Sequence, residues 1–268
     1  FEYNVGVNMS TIRNRMTKLN GGTPISDGPF RNGSMYLTYT NEGMPIGAFW
    51  GYKTDGLIQT QEQLNAVKRA DFQPNAELGD VLFVDTNGDG KLDSSDRCMI
   101  GNPIPDIIYG INMGMAWKGF DLNLQFGGTI GNQIFNAMRY YTYFPNDITN
   151  KDRALMNYWT PNNTNTDIPR LTATDVNDND RFSDMYVENG TYFRLRNAQL
   201  GYTLPASLTQ RIKLQKVRFY VSGQNLFTIS SYSGMDPEVG QSSSLSRGID
   251  YGIYPQNISF TGGINVTF

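Results

Sequence analysis

The sequence predicts an all-β fold, a transmembrane antiparallel β-barrel, from three observations: strict alternation in a central hairpin, connections sorted by length, and an amphipathic closing strand. In INMGMAWKGFDLNLQF (111–126), Ile111, Met113, Met115 and Trp117 alternate with Asn112, Gly114, Ala116 and Lys118. After Lys118-Gly119 the alternation resumes, with Phe120, Leu122, Leu124 and Phe126 against Asp121, Asn123 and Gln125. A period of two puts the two sets on opposite faces of strands, and the glycine-containing break is a hairpin turn. An apolar face ending in aromatics, opposite a face of amides, suits lipid on one side and water on the other. No apolar run approaches the roughly 18 residues of a membrane helix, so any crossing is made by strands.

Taken in order, FEYNVGVNMSTIRNR (1–15) alternates Val5, Val7 and Met9 against Asn4, Gly6, Asn8 and Ser10. MYLTY (35–39) and IGAFWGYKTDGLI (46–58) read as the next strands. QEQLNAVKRA (61–70) reads as a short helix of good helix formers, and 150–159 as a second helix. The hairpin gives two strands, 108–117 and 120–129, and three more follow at 192–202, 217–227 and 258–268. After Asn197 the apolar parity moves from Phe193 and Leu195 to Ala198, Leu200 and Tyr202, which predicts a bulge. The gaps between these eight strands alternate: 17–33, 59–107, 130–189 and 228–257 are long, while 41–45, 118–119 and 203–216 are short. A sandwich has no reason to sort loops by parity, whereas an outer-membrane barrel places short turns on the periplasmic side and long loops outside.

In the closing strand, ISFTGGINVTF (258–268), Ile258, Phe260, Ile264, Val266 and Phe268 share a face. The terminal Phe268 resembles the signal by which outer-membrane barrels are recognised for insertion. Eight strands make either a small barrel or the last third of a plugged one of about 22 strands. A start inside a strand favours the second. No linker-like shift in composition divides residues 1–268, which read as one domain without the plug and the earlier strands.

Composition removes several function classes. With 22 basic and 25 acidic residues there is no electrostatic footprint for nucleic acid. The absence of histidine removes His-based triads and HExxH zinc sites. Cys98, the one cysteine, allows neither an intrachain disulfide nor a cysteine-rich metal site, and reads as a small unpaired residue near a loop. No nucleophile–base pair stands out, so no enzymatic activity is expected.

DTNGDGKLDSSD (85–96) matches the spacing of a calcium loop, which wraps six to eight oxygens round one ion. Asp85, Asn87 and Asp89 occupy positions 1, 3 and 5, and Gly90 occupies position 6. Lys91 offers its carbonyl at 7, Asp93 stands at 9 and Asp96 at 12. Asp96 replaces the usual bidentate Glu, a departure that resembles dockerin-type loops and weakens the closing grip. A structural calcium ion in an external loop is expected, with an affinity of roughly 0.1–1 mM.

Several long segments resemble SusC/RagA-type TonB-dependent transporters. They are EGMPIGAFWGYKTDGLIQ (42–59), GDVLFVDTNGDGKLDSSDR (79–97), WTPNNTNTDIPR (159–170), YVENGTYFRLRNAQLGYTLP (186–205), RFYVSGQNLFTISSYSGMDPEV (218–239) and GIDYGIYPQNISFTGGINVTF (248–268). The resemblance covers nearly the whole chain in order. It implies the last eight strands of a 22-stranded barrel in a Gram-negative outer membrane, importing oligosaccharides or peptides. It further implies energy from the TonB complex through an amino-terminal part outside this sequence, and a SusD-like surface lipoprotein as partner.

Tyr140, Tyr141, Tyr143 and Trp159, in the largest external loop, are candidates for stacking on substrate, with packing of that loop as the competing role. Arg194 and Arg196 should face the lumen and pair with plug or wall carboxylates. Trp50, Trp117 and Phe120 are expected in interfacial girdles. Two other functions compete: a secreted calcium-dependent glycan-binding β-protein, which would bury the faces assigned here to lipid, and an outer-membrane hydrolase, which the absence of histidine disfavours.

Overall fold

The computed structural model describes residues 1–144, 150–240 and 243–268. Six long strands pair antiparallel, each with its chain neighbour, in one up-and-down sheet. They are β1 (Glu2–Thr11), β2 (Ile107–Trp117), β3 (Phe120–Ile130), β4 (Tyr192–Thr203), β5 (Lys216–Ser230) and β6 (Ser259–Thr267). At 9 to 15 residues each, they match the length a tilted strand needs to cross a bilayer.

The register separates the two faces. Val5, Met113, Leu124, Ala198, Gly223 and Phe260 align across the sheet as one row, and Asn4, Gly114, Asn123, Gln199, Ser222 and Thr261 as the next. The first row is apolar; the second is amide, hydroxyl or glycine. Among the described residues nothing packs on the apolar face, where Val7, Val221 and Phe260 are 69%, 60% and 78% exposed. Aromatics mark its two ends. Trp117, Phe120, Tyr202 and Phe219 line up near the short turns, with the Phe120 and Tyr202 rings 4.5 Å apart. At the other end the Phe193 ring stacks 5.2 Å from Phe126 and lies 6.3 Å from Phe227. Trp117 and Phe120 thus hold the girdle positions expected of them.

The register of β4 shifts between Leu195 and Asn197 against both neighbours, which is the bulge the parity change predicts. The Lys118-Gly119 turn has positive φ at both positions (46° and 89°), the backbone of a tight hairpin whose twist matches the strands.

Two of the eight anticipated strands are not wall. Met35–Thr40 pairs with Ile25–Phe30 and Ala48–Gly51 in a four-stranded sheet completed by Cys98–Gly101. The stretch 46–58 breaks into Ala48–Gly51 and Thr54–Leu57, which belong to different sheets. They read as strands in sequence, but four to six residues cannot span hydrocarbon, and Leu37, Ala48 and Phe49 are fully buried. Trp50 accordingly stacks on Tyr39 (4.7 Å) in this sheet rather than joining a girdle. Because the two false strands were neighbours, the parity survives: connections 12–106, 131–191 and 231–258 are long, 118–119 and 204–215 short.

The hydrophobic core lies in the long connections. All three contribute to one cluster: Phe30, Leu37, Phe49 and Ile100 from the first, Phe135, Tyr140, Phe182 and Tyr186 from the second, and Ile249 from the third. A short sheet of Gln133–Asn136, Val187–Asn189 and Ile249–Asp250 ties the second and third together. Helix α1 (Gln61–Arg69) forms as expected, closed by a capping box between Thr60 and Gln63. The helix expected at 150–159 is only a single 3-10 segment, Arg153–Asn157, capped by Asp152.

Phe135→Ala, at the centre of the shared cluster, should cost about 3–5 kcal/mol. Limited proteolysis of the folded protein should then cut the long connections while the six-stranded sheet stays intact.

Candidate functional site

The polar face of the sheet carries two arginine–carboxylate clamps. At the long-loop end, Arg194 is buried and paired with Asp236 (2.5 Å) and Glu238 (2.9 Å), and it donates to Thr228 Oγ1 (2.8 Å). Arg196 reaches Glu238 (3.2 Å) and the Tyr192 hydroxyl (3.1 Å). Asp236 also accepts from the amides of Glu238 (2.8 Å) and Gln256 (2.9 Å). The two arginines are on the expected face, and the carboxylates they meet within this chain come from the 231–258 connection rather than from the wall. Partners 42 residues apart leave no local spacing for a sequence reading to detect. The clamp fastens the third external connection to the mouth of the barrel.

At the short-turn end, Arg218 Nε donates to Asp121 (2.9 Å) from two strands away. The bridge passes over Gly201, where a Cβ would collide with both partners. A glycine on the polar face between two charged positions was the available sequence signal.

The structure places the calcium-type loop on the surface between Val81–Phe83 and Cys98–Gly101. Asp85 accepts from the amides of Gly88 (2.7 Å) and Gly90 (2.8 Å), and Asp89 from that of Lys91 (2.9 Å). Asn87 accepts from the amide of Asp89 (2.9 Å) and Asp93 from that of Ser95 (2.7 Å). Asp96 is buried and turned back into the loop, accepting from the amides of Thr86 (2.9 Å) and Asp93 (3.0 Å). These amide bonds, led by that of Gly90, hold the Asp85 carboxyl below its ordinary range, and Ser95 does the same for Asp93. The loop is therefore anionic, with positive φ at Gly88 and Gly90 (78° and 76°) supplying its sharp turns. Among the described residues, however, no three acidic, His or Cys side chains converge on a common point. The oxygen donors suit a hard cation, while the side chains are engaged with the loop's own backbone.

Of the aromatic candidates, Tyr140 is buried, and its hydroxyl accepts from Arg31 (3.0 Å). Trp159 is buried against Gly79, whose φ of 87° and missing Cβ make room for the ring, and its indole donates to Gln59 (2.8 Å). Both belong to cores and are not presented for stacking. Tyr141 and Tyr143 are half-buried; the Tyr143 ring lies 4.9 Å from the Arg139 guanidinium. Phe268 is exposed just beyond β6.

A sheet of membrane-spanning length, apolar on its outer face and aromatic at both ends, with its packed core in the loops on one side, is the wall of an outer-membrane β-barrel. No family model matches the chain. Curated relatives do. TonB-dependent receptor P3 of Formosa agariphila is 36% identical over 280 residues, covering 100% of this chain and 27% of the relative. TonB-dependent receptor SusC of Bacteroides thetaiotaomicron is 27% identical, covering 100% of this chain and 24% of the relative. Among solved structures, the RagAB peptide transporter matches with a TM-score of 0.74 at 24% identity, over 99% of this chain and 27% of that one. The chain is similar over its whole length to part of the SusC/RagA-type TonB-dependent receptors, which are outer-membrane β-barrel proteins and not enzymes. It spans about a quarter of the length of the relatives it matches.

Arg194→Ala should leave Asp236 buried without its cation, a loss of about 3–5 kcal/mol, and open the 231–258 connection to protease. Burial alone would raise the Asp236 carboxyl, but the Gln256 and Glu238 amides and Arg194 outweigh it, and it titrates below its ordinary value. Its contribution is complete above the ordinary carboxylate range and is lost as pH falls through the depressed value. Protease sensitivity of the wild-type connection should therefore appear only in acid, and Arg194→Ala should show it at neutral pH.

Proposed function

We propose that this chain is wall and external surface of an importer that takes up nutrient oligosaccharides or peptides, powered by the TonB complex and working with a SusD-like surface lipoprotein. The observation that carries the reading is the uncovered apolar face of β1–β6 above a row of amides, which needs lipid on one side and a wet lumen on the other. Kinship with SusC and likeness to the RagAB transporter support the division into importer and lipoprotein. The competing secreted glycan-binding protein would need this face covered, and in this chain the core lies elsewhere. Deleting the gene should abolish accumulation of either labelled oligosaccharides or labelled peptides, and deleting the TonB component should do the same. Unchanged uptake of both in the gene deletion would refute the importer.

The loop of Asp85, Asn87, Asp89, Lys91, Asp93 and Asp96 is proposed to hold calcium as a rigidifying ion, supported by its oxygen donors and its depressed carboxyls. Calorimetric titration of the full receptor should give a dissociation constant of roughly 0.1–1 mM that Asp85→Ala abolishes. No calcium-dependent heat in the wild type would leave the loop as a set of side-chain-capped turns.

A further inference from the structure

The short-turn end of the sheet differs electrically from the rest. All the acidic residues except Glu2 and Asp121 lie in the three long connections, and Asp121 is taken up by Arg218. The connections 118–119 and 204–215 contain Lys118, Arg211 and Lys213 and no acidic residue. All three cations are exposed, and among the described residues none forms an ion pair.

Their depth is fixed by what adjoins them. Lys118 Nζ lies 4.9 Å from the ring of Trp117, which is exposed on the apolar face beside Phe120. The Thr203 amide donates to the Gly119 carbonyl (2.8 Å), stitching the two short connections together. In the second of them, the short helix α2 (Ala206–Thr209) presents Leu208, which is 50% exposed, five residues before Lys213. Exposed Trp117 and Phe120 beside Lys118, with Leu208 exposed on the same connection as Arg211 and Lys213, describe a surface at the boundary of hydrocarbon and headgroups, where long basic side chains reach toward phosphate.

We propose that Lys118, Arg211 and Lys213 form a binding surface for anionic phospholipid headgroups of the inner leaflet, with the acyl chains lying against Trp117 and Phe120. The proposal rests on the outer-membrane placement of the wall, not on what the receptor imports. The ligand is a lipid and not free phosphate because Lys118 borders the exposed apolar face at Trp117, and the connection carrying Arg211 and Lys213 begins where the Thr203 amide is bonded to that same turn. Juxtamembrane cations gain from an anionic leaflet and lose that gain within a Debye length.

The full receptor, purified in detergent, is mixed with phosphatidylglycerol or phosphatidylcholine, and bound lipid is counted by native mass spectrometry. The wild type should retain phosphatidylglycerol about tenfold over phosphatidylcholine. The triple variant Lys118→Gln, Arg211→Gln, Lys213→Gln should lose that preference, while Lys68→Gln with Arg69→Gln on α1 keeps it. Inorganic phosphate at equal concentration should not displace the lipid. Equal retention of the two lipids, an unaffected triple variant, an equal loss in the α1 variant, or displacement by phosphate would each overturn the proposal. Should the triple variant not fold, the wild-type preference must fade between low and high salt, and its persistence would overturn the proposal equally.

Discussion

The constraint on which the rest of this structure depends is that no backbone amide or carbonyl can stay unpaired in hydrocarbon. A strand meets it only by pairing along its whole length, so β1 to β6 run long, antiparallel and next to their chain neighbours. Continuous pairing fixes register, and register fixes which side chains share a face. Rows of Val, Met, Leu and Phe then alternate with rows of Asn, Gln, Ser and Thr without exchange between faces. The one parity change, at Leu195 to Asn197, is absorbed by a bulge, so apolar side chains stay outward on both sides of it.

That constraint moves the hydrophobic core. A soluble β-protein buries the apolar face of its sheet; here the bilayer covers that face, and side-chain packing is left to the connections. Phe135, Phe182, Tyr186 and Ile249 assemble segments far apart in sequence into one external unit, and Arg194 joins the unit to the wall through Asp236 and Glu238. A buried arginine with two carboxylates is a weak source of stability but a strong source of position, because breaking it leaves charge stranded. The unit therefore sits at a defined place over the barrel mouth.

How much of this was legible depended on range. Alternation in 111–126, the parity change near Asn197 and the terminal strand are local patterns, and each translated directly into structure. The capping box at Thr60 and Gln63 likewise sits within four residues. Strand length was the weak point: 35–39 and 46–58 read as wall strands, yet only tertiary burial of Leu37 and Phe49 showed them to be parts of short external sheets. Long-range partners were invisible. Nothing near Arg194 announces Asp236, and nothing near Trp159 announces Gly79. Two of the four aromatic candidates, Tyr140 and Trp159, are core residues for a related reason, since composition cannot tell an exposed aromatic from one whose ring fills a core.

The central claim is that adjacent residues of β5 face lipid and lumen in turn. Spin labels placed singly at Val221 and Ser222 of the full receptor in bilayers, read by power saturation with oxygen and with a water-soluble nickel complex, test it directly. The label at Val221 should be relaxed by oxygen and shielded from nickel, and the label at Ser222 should show no such preference for oxygen. A Val221 label accessible to nickel, or two labels with the same profile, would contradict the barrel-wall account.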